Sequence, residues 1–226
     1  MRTLKAVGWI CWKDVAIEIR TGRRFTLMGA FAVLIAVLFN YAIDPGVVRP
    51  RDFASALLWL TIVFGGLLGL GQTFHLEDEN GALEGVLLTP IPREAIFFAK
   101  VISNYLLVLA LVLLLLLLFA LFFAVDYGPS WPALLGLLAL GALGFVAVGT
   151  LFGAITARSS MRETLLPVLV FPVLLPVVIY GSGATSRLIA GLSVSEVGGN
   201  LRMLGAFALL TLTVGAILFR FVVEDA

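Results

Sequence analysis

Charged residues are scarce in this chain of 226 residues. Lysine, arginine, aspartate and glutamate make up 13% of it, against about 25% in a soluble domain, and apolar residues make up 61%. The mean hydropathy is +1.11. This composition excludes an ordinary soluble domain and predicts an integral membrane protein. The formal net charge of +1, with no run of basic residues, predicts no nucleic-acid partner.

The sequence has few features that indicate a catalytic, metal-binding or nucleotide-binding site. The single cysteine, Cys11, cannot form a disulfide within the chain, and His75 is the only histidine. The sequence contains no Walker A motif, no HExxH zinc motif and no nucleophile elbow. We therefore expect no catalytic residues, no metal site, no bound cofactor and no ATPase activity of the chain's own. His75 is a weak haem-ligand candidate, because a lone histidine at a helix end is more often solvated.

Six apolar runs are long enough to cross a bilayer, which takes about 20 helical residues. They cover approximately residues 25–43, 53–74, 101–125, 131–156, 164–182 and 201–219. The predicted fold is an all-α membrane protein with one six-span domain over residues 25–226, and its longest external loop is 183–200. The interior of each predicted span contains no Asp, Glu, Lys, Arg or His, which argues against an ion-coupled carrier. Glycine pairs four residues apart, such as Gly65/Gly69 and Gly149/Gly153, predict close helix packing.

The fifth predicted span contains three prolines, Pro167, Pro172 and Pro176. Each proline lacks an amide donor and clashes with the previous turn, so the helix should bend and release carbonyl groups. Those carbonyls need a neighbouring helix, water or a cavity. Two interpretations stay open, a broken helix that lines a translocation pathway and a packing kink.

Residues 1–24 form a predicted amphipathic helix at the cytoplasmic face of the membrane. On a helical wheel five basic residues share one side, namely Arg2, Lys5, Lys13, Arg20 and Arg24. Asp14 and Glu18 fall on nearly the opposite side, while Trp9 and Trp12 suit the headgroup region. We expect the basic side to face anionic lipid and the two carboxylates to be free for a partner. The alternative is a lipid anchor with no further role.

Between the second and third spans, residues 75–100 form the longest segment that is dense in charge. Its charged residues are Glu77, Asp78, Glu79, Glu84, Arg93, Glu94 and Lys100. Each would cost about 2.5–3.5 kcal/mol at the bilayer centre, so the segment must lie in water or at the interface. We predict a short coupling helix, stopped by Pro90, that receives a push from a soluble ATPase. The predicted ATPase interface is Glu77, Asp78, Glu79, Gly81, Leu83, Glu84 and Pro90, together with Asp14 and Glu18.

Lysine and arginine set the predicted orientation. Most of them fall on the N-terminal segment and on the loops that share its side of the membrane. Because cytoplasmic segments are enriched in lysine and arginine, we expect both termini in the cytoplasm.

Four stretches resemble one family of membrane proteins. They are 13–20 (KDVAIEIR), 57–60 (LLWL) followed by the glycines of the second span, 77–90 (EDENGALEGVLLTP), and 163–176 (ETLLPVLVFPVLLP). On these stretches the chain resembles CcmB, the haem exporter protein B family, and the resemblance covers nearly the whole chain. The acidic stretch is shared more loosely with ABC-2 permeases, which have the type V exporter fold.

The resemblance implies a permease subunit of an ABC transporter complex for cytochrome c maturation in the bacterial inner membrane. It implies a CcmA-like ATPase that binds ATP, CcmC-like and CcmD-like membrane subunits, a CcmE-like haem chaperone, and a homodimer of this chain within the complex. Haem is the implied substrate candidate, for export or for release of the haem-loaded chaperone. No paired axial haem ligands are visible in the sequence. Two alternatives stay open, an ABC-2 permease for a lipid or another substrate and a non-transporting membrane scaffold.

Overall fold

The computed structural model describes residues 2–44, 48–74, 91–157, 159 and 161–224. Within them it has seven α-helices and no strand. The helices are α1 (Arg2–Thr21), α2 (Arg23–Ala42), α3 (Pro50–Leu70), α4 (Arg93–Phe123), α5 (Trp131–Thr156), α6 (Arg162–Ile189) and α7 (Gly198–Glu224). Helices α2 to α7 are each long and apolar enough to cross a membrane. The prediction of an all-α protein with six spans is confirmed.

Three helices, α4, α6 and α7, extend well beyond the predicted apolar runs. Helix α4 begins at Arg93, so Lys100 lies about two turns inside it and not before it. Helix α6 continues to Ile189, and α7 begins at Gly198 after a short 3₁₀ turn over Val194–Val197. The predicted loop 183–200 is therefore wrong over most of its length. Within this stretch Thr185 accepts a hydrogen bond from the Trp59 indole of α3, and Ala184 and Leu188 are buried.

The core lies around α3 and α5, the two most deeply buried spans. Trp59 of α3 is fully buried, and its indole rests on Gly141 of α5 and Gly181 of α6. A Cβ on either glycine would overlap the ring. The indole Nε1–H donates a 3.0 Å hydrogen bond to the Thr185 hydroxyl. This one side chain therefore holds α3, α5 and α6 together.

Glycines also admit side chains elsewhere in the bundle. Gly69 of α3 receives the thioether of Met28 from α2, and Gly149 of α5 receives Leu70 from α3. In both cases a Cβ would overlap the inserted side chain. One glycine of each predicted pair thus packs closely against another helix, but it admits a side chain and not the helix backbone that the prediction expected.

Helix α1 packs along α4 and is not among the candidate spans. Ile10 and Asp14 on its inner side are buried, whereas Trp9 and Trp12 on its outer side are 73% and 65% exposed. Gly22, at φ +59°, makes the turn into α2. The helix lies within the predicted 1–24 segment, and its location at a membrane interface stays a prediction.

The end of α3, the start of α4 and the end of α7 lie together at one end of the bundle. The rings of Phe74 and Phe97 lie 6.2 Å and 5.5 Å from that of Phe219. Helix α1, the first turn of α2 and the last turns of α5 lie at the same end, as the contacts below describe. We call it the polar end, because buried charged side chains meet there.

Candidate functional site

A buried ion pair joins α1 to α4 at the polar end. Lys100 Nζ lies 2.8 Å from Asp14 Oδ2, and the two side chains are only 3% and 8% exposed. The Ser103 hydroxyl donates a 3.3 Å hydrogen bond to the same carboxylate oxygen. Lys13, which is 38% exposed, lies 3.1 Å from the other oxygen. The Asp14 carboxylate is thus surrounded by donors of its own chain.

The surroundings of Asp14 shift its pKa in opposing directions. Burial disfavours the charged carboxylate and by itself raises the pKa. The positive charges and hydrogen bonds of Lys100 and Lys13 lower it by more, so the net pKa lies below its usual value. The carboxylate is therefore ionised at neutral pH.

A second ion pair holds the joint between α1 and α2. Glu18 Oε2 accepts a 2.9 Å hydrogen bond from Arg24 Nε. Glu18 Oε1 accepts another of 2.9 Å from the Phe25 amide, one of the amides at the N-terminus of α2 that lack a helical partner. Because a helix N-terminus carries a partial positive charge, a carboxylate is favourable there. Glu18 therefore caps α2 from the preceding helix.

Arg24 extends this joint into the core. Its Nη1 donates to the Thr73 hydroxyl at 3.1 Å and to Asn104 Oδ1 at 3.0 Å. Thr73 also donates to Asn104, and Asn104 Nδ2 donates to the Thr150 hydroxyl at 3.1 Å. One connected set of hydrogen bonds thus links α1, α2, the residues after α3, α4 and α5. We call this set, together with the neighbouring group of Asp14, Lys100 and Ser103, the polar layer. Its members are Asp14, Glu18, Arg24, Thr73, Lys100, Ser103, Asn104 and Thr150.

The polar layer borders residues 75–90 on both sides. Thr73 and Phe74 immediately precede them, and Lys100 follows in the second turn of α4. Lys100 Nζ also lies 5.9 Å from the centre of the Phe74 ring, a cation–π distance. Thr73 and Lys100 are therefore the members of the polar layer that lie nearest in the sequence to residues 75–90.

The structure differs from the sequence prediction at Asp14 and Glu18. We expected their carboxylates to be free for a partner, but each is held by basic side chains of this chain. The expectation was wrong because a helical wheel orders side chains around one helix and does not reveal which side meets another helix.

Most of the predicted ATPase interface lies outside the residues that the structure describes. This applies to Glu77, Asp78, Glu79, Gly81, Leu83, Glu84 and Pro90, and also to His75. Their assignment stays a prediction. In the described part of the chain, no three His, Cys, Asp or Glu side chains are grouped as metal ligands would be.

The three prolines lie inside α6. Pro167 is half-buried and lines a cavity beside Gln72, while Pro172 and Pro176 are exposed on the outer side of the helix. Their role in a pathway stays a prediction.

Sequence reasoning missed Arg24, Lys100 and Asn104 as a buried group, since each lies at the edge of an apolar run. A signal was present in the first turns of α4. Ser103 and Asn104 lie three and four residues after Lys100, which places both on the same helix face as Lys100. A polar face at the start of an otherwise apolar span indicates burial against a polar partner.

Comparison with known proteins finds one family. The family model described as "CcmB protein" matches residues 5–224. A protein named "Heme exporter protein B" from Rhodobacter capsulatus is 31% identical, over 80% of this chain and 83% of its own length. Proteins of the same name from Pseudomonas aeruginosa and Escherichia coli K12 are 32% and 30% identical. The first covers 81% of this chain and 80% of its own length, the second 86% and 89%.

Proposed function

The chain belongs to the CcmB protein family, and we propose that it is the membrane-spanning permease subunit of an ATP-driven haem exporter in cytochrome c maturation. The family match, which runs over residues 5–224, carries this proposal. The six spanning helices supply the membrane domain that such a subunit needs. A separate CcmA-like subunit binds and hydrolyses ATP, since this sequence has no Walker A motif.

The ATPase docks on residues 75–90, with Glu77, Glu79 and Glu84 paired to its basic side chains. The location of the polar layer supports this step, because Thr73 lies two residues before that segment and Lys100 lies ten residues after it. Movement of residues 75–90 displaces Thr73 and Lys100. Arg24, Asn104 and Asp14 pass the displacement to α2, α5 and α1.

Asp14 and Glu18 act inside the chain in this mechanism. Asp14 ties α1 to α4 through Lys100, and Glu18 ties α1 to α2 through Arg24. Removing one partner of a buried ion pair lowers the free energy of unfolding by about 3–5 kcal/mol. Because separating the paired charges is similarly unfavourable, the helices that they join move together. The polar layer thus acts as a rigid connection between the ATPase and the spans.

The complex also contains CcmC-like and CcmD-like membrane subunits, and it exports haem or releases a haem-loaded CcmE-like chaperone at the outer face. Two copies of this chain form its centre. Both termini lie in the cytoplasm, which places the polar end at the inner face of the bacterial cytoplasmic membrane. The concentration of lysine and arginine on this side supports that orientation.

The experiment uses the native host with the chromosomal copy of this gene deleted. Wild-type chain should restore haem-stained c-type cytochromes and co-purify with the ATPase subunit. The triple variant Glu77→Lys, Glu79→Lys, Glu84→Lys should insert normally and lose both readouts by tenfold or more, because like charges then face each other across the interface. Glu196→Lys, an exposed charge reversal in the turn between α6 and α7, is the control.

Two results would contradict the proposal. Failure of the wild-type chain to restore haem-stained cytochromes would exclude the role in cytochrome c maturation. Unchanged co-purification of the ATPase with the triple variant would exclude residues 75–90 as its docking site.

A further inference from the structure

A cavity of about 340 Å³ lies between α2, α3, α5 and α6 near the polar end. Gln72 and Thr156 supply polar groups to its wall, and Pro167 lies beside them. Leu27, Phe64 and Leu68 form an apolar flank, and each is between 40% and 44% exposed. The cavity is therefore polar at one end and opens sideways along apolar side chains.

The polar end of this cavity has one unmatched hydrogen-bond acceptor. Gln72 Oε1 is buried and accepts no hydrogen bond from the residues that the structure describes. The Thr156 hydroxyl in the same cavity wall donates to the Phe152 carbonyl at 2.9 Å and makes no hydrogen bond to Gln72 Oε1. A buried acceptor without a partner is unfavourable, so a ligand that carries a donor would bind there.

The apolar side of the cavity continues as a groove along α3. Leu60, Phe64 and Leu68 are exposed at successive helical turns, although α3 is otherwise one of the two most buried spans. Helices α2 and α6 both pack against α3. From Gln72 to Phe64 the groove extends about 12 Å toward the middle of the span, at about 1.5 Å per residue.

We propose that this cavity binds a membrane lipid whose headgroup carries an N–H or O–H donor. The donor bonds to Gln72 Oε1, and one acyl chain follows Phe64 and Leu68 into the bilayer. The cavity and a lipid are polar at the same end. The polar wall of the cavity lies at the end of α3, where the headgroup would bind, and its apolar flank lies toward mid-span, where the acyl chain would lie. Haem does not match the acceptor, because its ionised propionates can only accept hydrogen bonds. The proposal does not depend on the haem-export function.

The test uses the intact complex in nanodiscs of phosphatidylethanolamine, phosphatidylglycerol and phosphatidylcholine in equal amounts with identical acyl chains. Native mass spectrometry then measures which lipid stays bound to the chain. Phosphatidylcholine has no headgroup donor, so one of the other two should be retained about three- to tenfold more, the effect of one net hydrogen bond. Preference for phosphatidylethanolamine identifies an ammonium donor, and preference for phosphatidylglycerol identifies a hydroxyl.

Three variants locate the site. Gln72→Leu should reduce the preference to equal retention, while Thr156→Val should leave it unchanged, because that hydroxyl is already bonded within α5. Leu27→Trp should lower retention of all three lipids, because the larger ring fills the mouth of the cavity. Equal retention by the wild-type complex, or an unchanged preference in Gln72→Leu, would overturn the proposal. So would a disulfide between two copies of a Leu68→Cys variant with no retained lipid, since a second copy would then cover the groove.

Discussion

Asp14 and Lys100 form a buried ion pair in which each charge compensates the other. Each charge loses its hydration on burial, and a single charge in this position would be strongly unfavourable. The Ser103 hydroxyl and Lys13 add donors to the carboxylate, so both of its oxygens are used. This pairing explains why a chain with few charges retains two of them deep in its polar end.

Removing the Asp14 charge should be far more costly than removing that of Lys13. We expect Asp14→Asn to lower the free energy of unfolding by about 3–5 kcal/mol, because the buried Lys100 ammonium loses its carboxylate. Lys13→Ala should cost about 0–1 kcal/mol, since Lys13 is partly exposed. Thermal unfolding of the purified complex measures both.

The double variant Asp14→Asn, Lys100→Met is the control for this pair. It should recover part of the loss, because no buried charge is left without a carboxylate. A double variant no more stable than Asp14→Asn would show that the ion pair is not what stabilises this contact. Acid gives a second readout. Because the pKa of Asp14 is lowered on folding, its contribution is full above about pH 4 and is lost as the pH falls through the folded pKa. Asp14→Asn should lack this acid-dependent component.

The joint between α1 and α2 depends on a turn and a cap. Gly22 adopts φ +59°, which costs other L-residues about 1–2 kcal/mol. The turn brings Glu18 back to the first amides of α2, where it bonds to Phe25 and pairs with Arg24. A different backbone conformation at Gly22 would move the Glu18 carboxylate away from Phe25 and Arg24.

Gly22→Val should therefore weaken the attachment of α1 without removing any span. We expect a loss of about 1–2 kcal/mol from backbone strain alone, because a β-branched residue is poorly tolerated at positive φ. Gly22→Asn should be milder, since asparagine adopts this conformation more readily. Gly8→Val is the matched control within α1, where a Cβ meets nothing within 4 Å. Limited proteolysis of α1 and thermal unfolding measure the effect, and equal behaviour of Gly22→Val and Gly8→Val would contradict it.

The six spanning helices could be predicted from the sequence, because each is a long apolar run that only a membrane helix accommodates. The start of α4 could not be predicted in this way. Its first two turns contain Arg93, Glu94 and Lys100, and hydropathy does not show that Lys100 is neutralised by Asp14, 86 positions earlier in the chain. The extension of α6 to Ile189 was missed for a similar reason, since Thr185 within it accepts a hydrogen bond from Trp59 of α3, 126 positions earlier in the chain. Both the start of α4 and the end of α6 therefore depend on contacts between residues that are far apart in the sequence.

In the whole molecule, burial is uneven among the spans. Most residues of α3 and α5 are buried, whereas most residues of α2, α6 and α7 are at least partly exposed. Exposed apolar side chains on these outer helices suit lipid tails or a neighbouring subunit. The polar layer lies at one end of this bundle, so the chain has one end with buried charges and an opposite end that carries the short turns between α4 and α5 and between α6 and α7.

The orientation of the whole molecule can be tested with single cysteines in a Cys11→Ser background. Asn80→Cys belongs to the predicted coupling segment, and Ser195→Cys lies exposed in the turn between α6 and α7. A membrane-impermeant maleimide should label Ser195→Cys in intact cells, because this turn faces outward if the N-terminus is cytoplasmic. It should label Asn80→Cys only after the cytoplasmic membrane is permeabilised. Labelling of Asn80→Cys in intact cells would place the segment outside, where no ATP-driven subunit could reach it, and would exclude the coupling mechanism.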